Sequence, residues 1–174
     1  MSKEYICNGE KYEVGGLKKD TLGLPVSFDK LPEEIEVERY KLFLKDSFHV
    51  SLVCVGKIIE KNNINIKETD FLEKVITDFC NFTKENKVDL IRYRDEFKFV
   101  EEDEKRSMVV MCDISNLDKF FDFINKKYDL NLEYPPTHIT LYTLQPNVGI
   151  FFTDSEDVKN LTRPIENPGV TLNK

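Results

Sequence analysis

Two short apolar runs constrain this chain more than any other feature: SFHVSLVCV, ending at Val55, and PPTHITLYT, ending at Thr143. They hold the protein's only two histidines, His49 and His138, and in each a hydroxyl residue follows two positions later, Ser51 and Thr140. Both runs read as strands, and in a strand alternate side chains share a face. His49 and Ser51 therefore point one way, as do His138 and Thr140. Phe48, Val50, Leu52, Cys54 and Ile58 form a uniformly small or apolar face that belongs in a core. The opposite face is mixed, as expected for a strand lining a cleft. Tyr142 continues the face of His138 and Thr140, either as a substrate contact that stacks on a base or donates to phosphate, or as a half-buried strand residue.

The rest of the chain supplies an α+β setting for these strands. Residues 1–34 carry Gly9, Gly15, Gly16, Gly23 and Pro25 among polar residues. They read as a loosely structured arm or an added edge element, with a short strand or hairpin around Tyr12 to Leu17. The Gly15-Gly16 pair lacks the lysine and longer glycine pattern of a phosphate loop. Pro32-Glu33-Glu34 suits a brief helical turn. Alternation then runs through Ile35, Val37, Tyr40, Leu42 and Leu44, with a slip near Arg39 that marks a bulge or a strand break. The first histidine strand extends to Ile58 in this reading, and 61–67 form a polar loop.

Phe71, Leu72, Val75, Ile76, Phe79 and Cys80 recur at helical spacing, with Thr69 as the cap. Val88 to Tyr93, Phe97 to Val100 and Arg106 to Asp113 read as strands, the last two joined by the polar turn Glu101 to Lys105. Ser115 and Asp118 have capping-box spacing ahead of a helix whose stripe is Leu117, Phe120, Phe121, Ile124 and Tyr128. Pro135-Pro136 stops that helix and leads into the second histidine strand. A turn at Pro146-Asn147, a strand Val148 to Phe152 and a short helix opened by Thr153 and Glu156 follow. The expected organisation is an arm (1–34), one domain of two similar lobes (35–162) and an irregular tail (163–174), with helices packed on the outer faces of the sheets.

A formal charge of −7 argues against broad binding to duplex DNA, which needs many Lys and Arg contacts. A local basic cluster can still hold a small anion. Cys7, Cys54, Cys80 and Cys112 lack metal-ligand spacing and read as buried free thiols in a reducing compartment. No apolar run approaches membrane-spanning length. The expectation is a cytoplasmic monomer without a membrane segment and without a cofactor.

Two imidazoles facing one cleft form an acid–base pair near neutral pH. Phosphodiester cleavage without a metal has that need: a base for the attacking oxygen, an acid for the departing one, and donors for the phosphoryl oxygens as charge builds. Ser51 and Thr140 are spaced to be those donors. Zinc would need further ligands that no carboxylate or cysteine supplies at suitable spacing, and no serine sits in a nucleophile-elbow context.

The repeated device, His49-Val50-Ser51-Leu52 and His138-Ile139-Thr140-Leu141, resembles the paired HxT/S motifs of the 2H phosphoesterase superfamily. The resemblance covers roughly residues 35–162, with Ser51 replacing the more usual threonine but keeping its hydroxyl. It implies a two-lobed fold whose antiparallel sheets line a central cleft, with His49 and His138 catalytic and Ser51 and Thr140 on the substrate phosphate. The implied substrate is a nucleotide or RNA end carrying a cyclic phosphate or a 2'-linked phosphodiester, cleaved without metal. A cyclic di- or oligonucleotide, an ADP-ribose cyclic phosphate and a catalytically weak binding module remain open. Arg92, Arg94 and Arg106 are candidates for reaching the cleft, with surface placement favoured for each. The glycine-containing arm departs from the family's usual start and is free to be a lid, an edge strand or a partner-binding element.

Overall fold

A computed structural model describes residues 3–15, 20–64 and 67–172, apart from the side chains of 68 and 69. In chain order it runs β1 (Lys3–Cys7), β2 (Glu10–Gly15), β3 (Thr21–Val26), β4 (Glu34–Val37), β5 (Tyr40–Leu44) and β6 (Phe48–Cys54). Two helices follow, α1 (Val55–Asn62) and α2 (Glu68–Phe82), then β7 (Leu90–Glu102), β8 (Lys105–Ile114) and α3 (Leu117–Tyr128). The chain closes with β9 (His138–Thr143), α4 (Ser155–Leu161) and β10 (Thr162–Ile165).

The expected α+β class holds. Where separate sheets were expected to line a cleft, the strands form one ten-stranded sheet in the order β1-β2-β3-β6-β9-β8-β7-β10. The β4–β5 hairpin joins it through β5, which pairs with the far end of β9. The two histidine strands are the central pair, with three strands flanking each along that path.

The main core gathers Val50, Leu52, Val110, Cys112, Ile139 and Leu141 from the sheet with Phe71, Val75, Phe79, Phe120 and Ile124 from α2 and α3. Burying a large apolar side chain contributes about 1.5–3 kcal/mol, so this face fixes the register of the central strands. A second, smaller cluster consists of Val100, Val109, Met111, Ile150 and Phe152, with Val158 and Leu161 of α4 packed against it.

Several expectations give way. The arm is not loose: β1, β2 and β3 extend the sheet beyond β6, so the reading as an added edge element describes it better. Of the hairpin expected around Tyr12 to Leu17, Leu17 lies outside the described residues. Residues 32–34 make no helical turn, and β4 begins at Glu34. The first histidine strand ends at Cys54, because Val55, Ile58 and Ile59 satisfy helical spacing equally well and become α1.

Helix starts shift too. Thr69 lies inside α2, whose N-cap position is Lys67. Ser115 does not cap α3; its hydroxyl donates to the Lys87 carbonyl at 2.9 Å and accepts from the Asp89 N–H at 2.9 Å. The cap of α4 is Asp154, whose carboxylate accepts from the Asp157 N–H, one residue later than the Thr153–Glu156 box. Residues 148–152 form no regular element and pair with no strand among the described residues. The tail expected to be irregular from residue 163 instead supplies most of β10, paired with β7, and returns Val170 to the main core.

The cysteines divide. Cys54 and Cys112 are free and buried as expected, and burial pushes the Cys112 thiol up to about 12. Cys7 and Cys80 instead form a disulfide across 73 residues. Their pairing joins β1 to the last turn of α2, a proximity created by tertiary structure. Such bonds persist in oxidising surroundings, so the cysteine pattern lends no support to a reducing compartment. No described helix is long and apolar enough to cross a membrane.

Candidate active site

The pairing of β6 with β9 matches Val50 with Ile139, the second residue of each histidine motif. When equivalent positions of two antiparallel strands pair, a local twofold axis passes between them. Continuing that register sets His49 opposite Thr140 and Ser51 opposite His138, all four on one face. The two histidines are then diagonal neighbours, about 7–8 Å apart at the backbone.

Each motif is followed by a register shift at the same place. Opposite β3, Ser51 aligns with Gly23 and Val53 with Leu22; opposite β8, Thr140 aligns with Val109 and Tyr142 with Met108. The extra residue is Leu52 in one strand and Leu141 in the other, as in a β-bulge. The bulges carry Val53 and Tyr142 off the histidine face and into the main core.

Tyr142 accordingly leaves the face of His138 and Thr140. It is fully buried, its hydroxyl donates to the Pro32 carbonyl at 2.9 Å, and burial pushes its pKa up to about 12. Strict alternation placed the residue on the wrong face because a bulge leaves no trace in apolar spacing.

The two halves of the site differ in access. His49 and Ser51 are partly exposed, whereas His138 and Thr140 are only 5% and 8% exposed. Residues 148–152 form a strap over them. The Ile150 carbonyl lies 3.3 Å from His138 Nε2, and the Pro136 carbonyl 3.1 Å from Nδ1. The Phe152 ring packs 4.2 Å, centroid to centroid, from the imidazole. Gly149 permits this closeness, since a Cβ there would stand 3.3 Å from the Thr140 hydroxyl.

Burial pushes the His138 pKa down to about 4; the two carbonyls oppose that shift, and His49 and Lys45 add to it. The ring is therefore neutral near neutral pH. A neutral imidazole carries one N–H, so one of the two carbonyls faces a ring lone pair.

Sequence spacing missed two charged neighbours. Glu13, on β2, places a carboxylate oxygen 3.1 Å from His49 Nδ1, at ion-pair distance but off the hydrogen-bonding axis. Lys45 follows β5, held by its backbone N–H on the Leu141 carbonyl at 3.0 Å. Burial lowers the Lys45 pKa, the Glu13 charge opposes that, and the lysine is close enough to His138 to disfavour its protonation. Glu13 sat in the supposed arm and Lys45 in a polar turn, so only tertiary structure reveals either.

The candidate arginines are engaged elsewhere. Arg92 and Arg94 both pair with Asp113, and Arg106 pairs with Glu101 beside the Tyr40 ring. Among the described residues, no three His, Cys, Asp or Glu side chains converge as a metal site. A cavity of about 310 Å³ lies between the end of β6 and the approach to β9, lined by Cys54, Ile58, Phe121, Pro135 and Phe151 and by the Lys61–Asp154 ion pair. Neither histidine lines it.

No protein-family model, curated protein or solved structure matches the chain. The likeness to 2H phosphoesterases therefore rests on the two sequence motifs alone.

Proposed function

We propose that the protein is a metal-independent phosphodiesterase that opens a cyclic phosphate or cleaves a 2'-linked phosphodiester on a nucleotide or RNA end. One observation carries this reading: the Val50–Ile139 register gathers both histidines and both motif hydroxyls on one face about a local twofold axis. Such symmetry suits the reaction, in which one imidazole takes a proton from the attacking oxygen while the other gives one to the departing oxygen. Ser51 and Thr140 donate to the phosphoryl oxygens, and Lys45 offsets their charge in a protein that is otherwise acidic. In this reading the chain has the 2H arrangement, with its two lobes fused through β6 and β9. It works as a monomer in the cytoplasm, and Cys7–Cys80 is the feature that most strains that location.

Turnover through His138 requires the Ile150 carbonyl to leave Nε2, so the 148–152 strap moves when substrate enters. The same contact favours a second reading, a nucleotide- or RNA-end-binding module with little catalysis, in which the strap stays closed and His49, Ser51 and Lys45 form the ligand surface.

Chelator-treated protein assayed on nucleoside and RNA 2',3'-cyclic phosphates, and on cyclic di- and oligonucleotides, separates the two. The phosphodiesterase reading expects turnover that falls at least about 100-fold in both His49→Ala and His138→Ala. Full activity in both variants rules out the paired-histidine mechanism. Product binding without turnover on any substrate establishes the binding module.

A further inference from the structure

The contact between Glu13 and His49 spans two strand spacings, because β3 lies between β2 and β6. Neighbouring strands are about 4.8 Å apart, so the two backbones are separated by roughly twice that. A glutamate and an imidazole can close this gap only where the intervening strand presents no side chain. The residue at that point is Gly23, which aligns with Glu13 on one side and with Ser51 on the other. A Cβ on Gly23 would lie 3.3 Å from His49 Cδ2 and 3.4 Å from Cγ, against the imidazole itself. A larger side chain there would press on the imidazole and crowd the gap between it and β2.

The ring nitrogen concerned is buried and has no aligned hydrogen-bond acceptor, while the Glu13 carboxylate stands 3.1 Å away. The two side chains are 17% and 21% exposed, so water only partly screens the contact. Hydrogen bonds in unliganded sites are often poorly aligned and tighten when substrate binds.

We propose that Glu13 is a positioning residue for His49, reaching it through the gap left by Gly23, so that Nδ1 carries a proton towards the carboxylate and Nε2 meets the substrate. Nε2 is then the working nitrogen in either role, as a lone pair when His49 is the base and as an N–H when it is the acid. The N-terminal strands thereby complete the centre in addition to extending the sheet. This inference rests on the phosphodiesterase reading for its purpose, but its test does not depend on turnover.

The full chain, labelled with ¹⁵N in its imidazoles, has only two histidine ring systems to assign, and His138→Asn separates them. In neutral free imidazole side chains the Nε2–H form predominates. At alkaline pH the wild type should show His49 in the opposite form, with Nδ1 protonated and Nε2 bare. Glu13→Ala should return it to Nε2–H, and Gly23→Val, which blocks the path with the carboxylate retained, should do the same. The His138 signals should keep their pattern in both.

A wild-type His49 in the Nε2–H form overturns the proposal before any variant is made, as does an unchanged tautomer in a folded Glu13→Ala protein. If turnover is present, Glu13→Ala should lower kcat about 10-fold or more with little change in KM, as expected for a misaligned catalytic group. A tautomer switch without turnover in any protein supports Glu13 and defeats the phosphodiesterase reading. Turnover without the switch does the reverse.

Discussion

Replacing His138 with leucine should remove a specific acid sensitivity from the fold. His138 has a pKa of about 4 in the folded protein against 6.5 for an ordinary histidine, because its ring is buried under the Ile150–Phe152 strap. The unfolded chain therefore binds a proton more readily than the folded one between those values. Stability contributed by the neutral ring is present above pH 6.5 and is lost as pH falls towards 4. The full difference corresponds to about 3 kcal/mol, and linkage leaves about 2 kcal/mol of it expressed at about pH 5. Urea unfolding of wild type and His138→Leu at about pH 7.5 and pH 5 measures it as a double difference. Carboxylates titrating in the same interval affect both proteins and cancel. The wild type should lose about 2 kcal/mol more than the variant on acidification. Equal losses in the two proteins would refute the buried, neutral placement of His138 and, with it, the closed strap.

Other consequences follow from individual contacts. Tyr142→Phe should destabilise the protein by about 1–2 kcal/mol, through loss of the buried hydrogen bond to Pro32, without altering ligand binding; a binding defect larger than the stability defect would return Tyr142 to the site. Diethyl pyrocarbonate followed by peptide mapping should modify His49 well before His138, which is only 5% exposed, and equal rates would mean that the strap does not cover it. Thiol titration of unreduced, denatured protein should detect Cys54 and Cys112 alone, because Cys7 and Cys80 are bonded, and four reactive thiols would dismiss that bond. Opening this cross-link should cost about 4 kcal/mol on loop-closure grounds, measured by urea unfolding of Cys7→Ser against wild type.

The central strands were legible because apolar alternation is a local signal, and the histidine and hydroxyl positions rode on it. The repeated apolar spacing of α2 and α3 was legible for the same reason, although their caps were not: Ser115 found partners at Lys87 and Asp89 that spacing cannot show. Alternation failed where the backbone slips. The extra residues Leu52 and Leu141 look like ordinary strand residues, yet each turns its successor over, and this sent Tyr142 into the core. The site's charges were hidden for a different reason. Glu13 reaches His49 across an intervening strand, and Lys45 approaches β9 from the end of a hairpin, so both are products of topology. The strap over His138 was hidden in the same way, since Ile150 and Phe152 read as a strand and instead bury themselves on Val109 and Met111.

In the proposed phosphodiesterase, one phosphate group sits between the two motifs. Crystal structures of the protein with a nucleoside 2'-phosphate and with a nucleoside 3'-phosphate, the two products that opening a 2',3'-cyclic phosphate can give, test this placement. The phosphate should lie within hydrogen-bond distance of Nε2 of both His49 and His138, with Ser51, Thr140 and Lys45 on its oxygens and the Ile150 carbonyl displaced. A phosphate bound away from His138, with the strap still closed upon it, would contradict the paired-histidine centre.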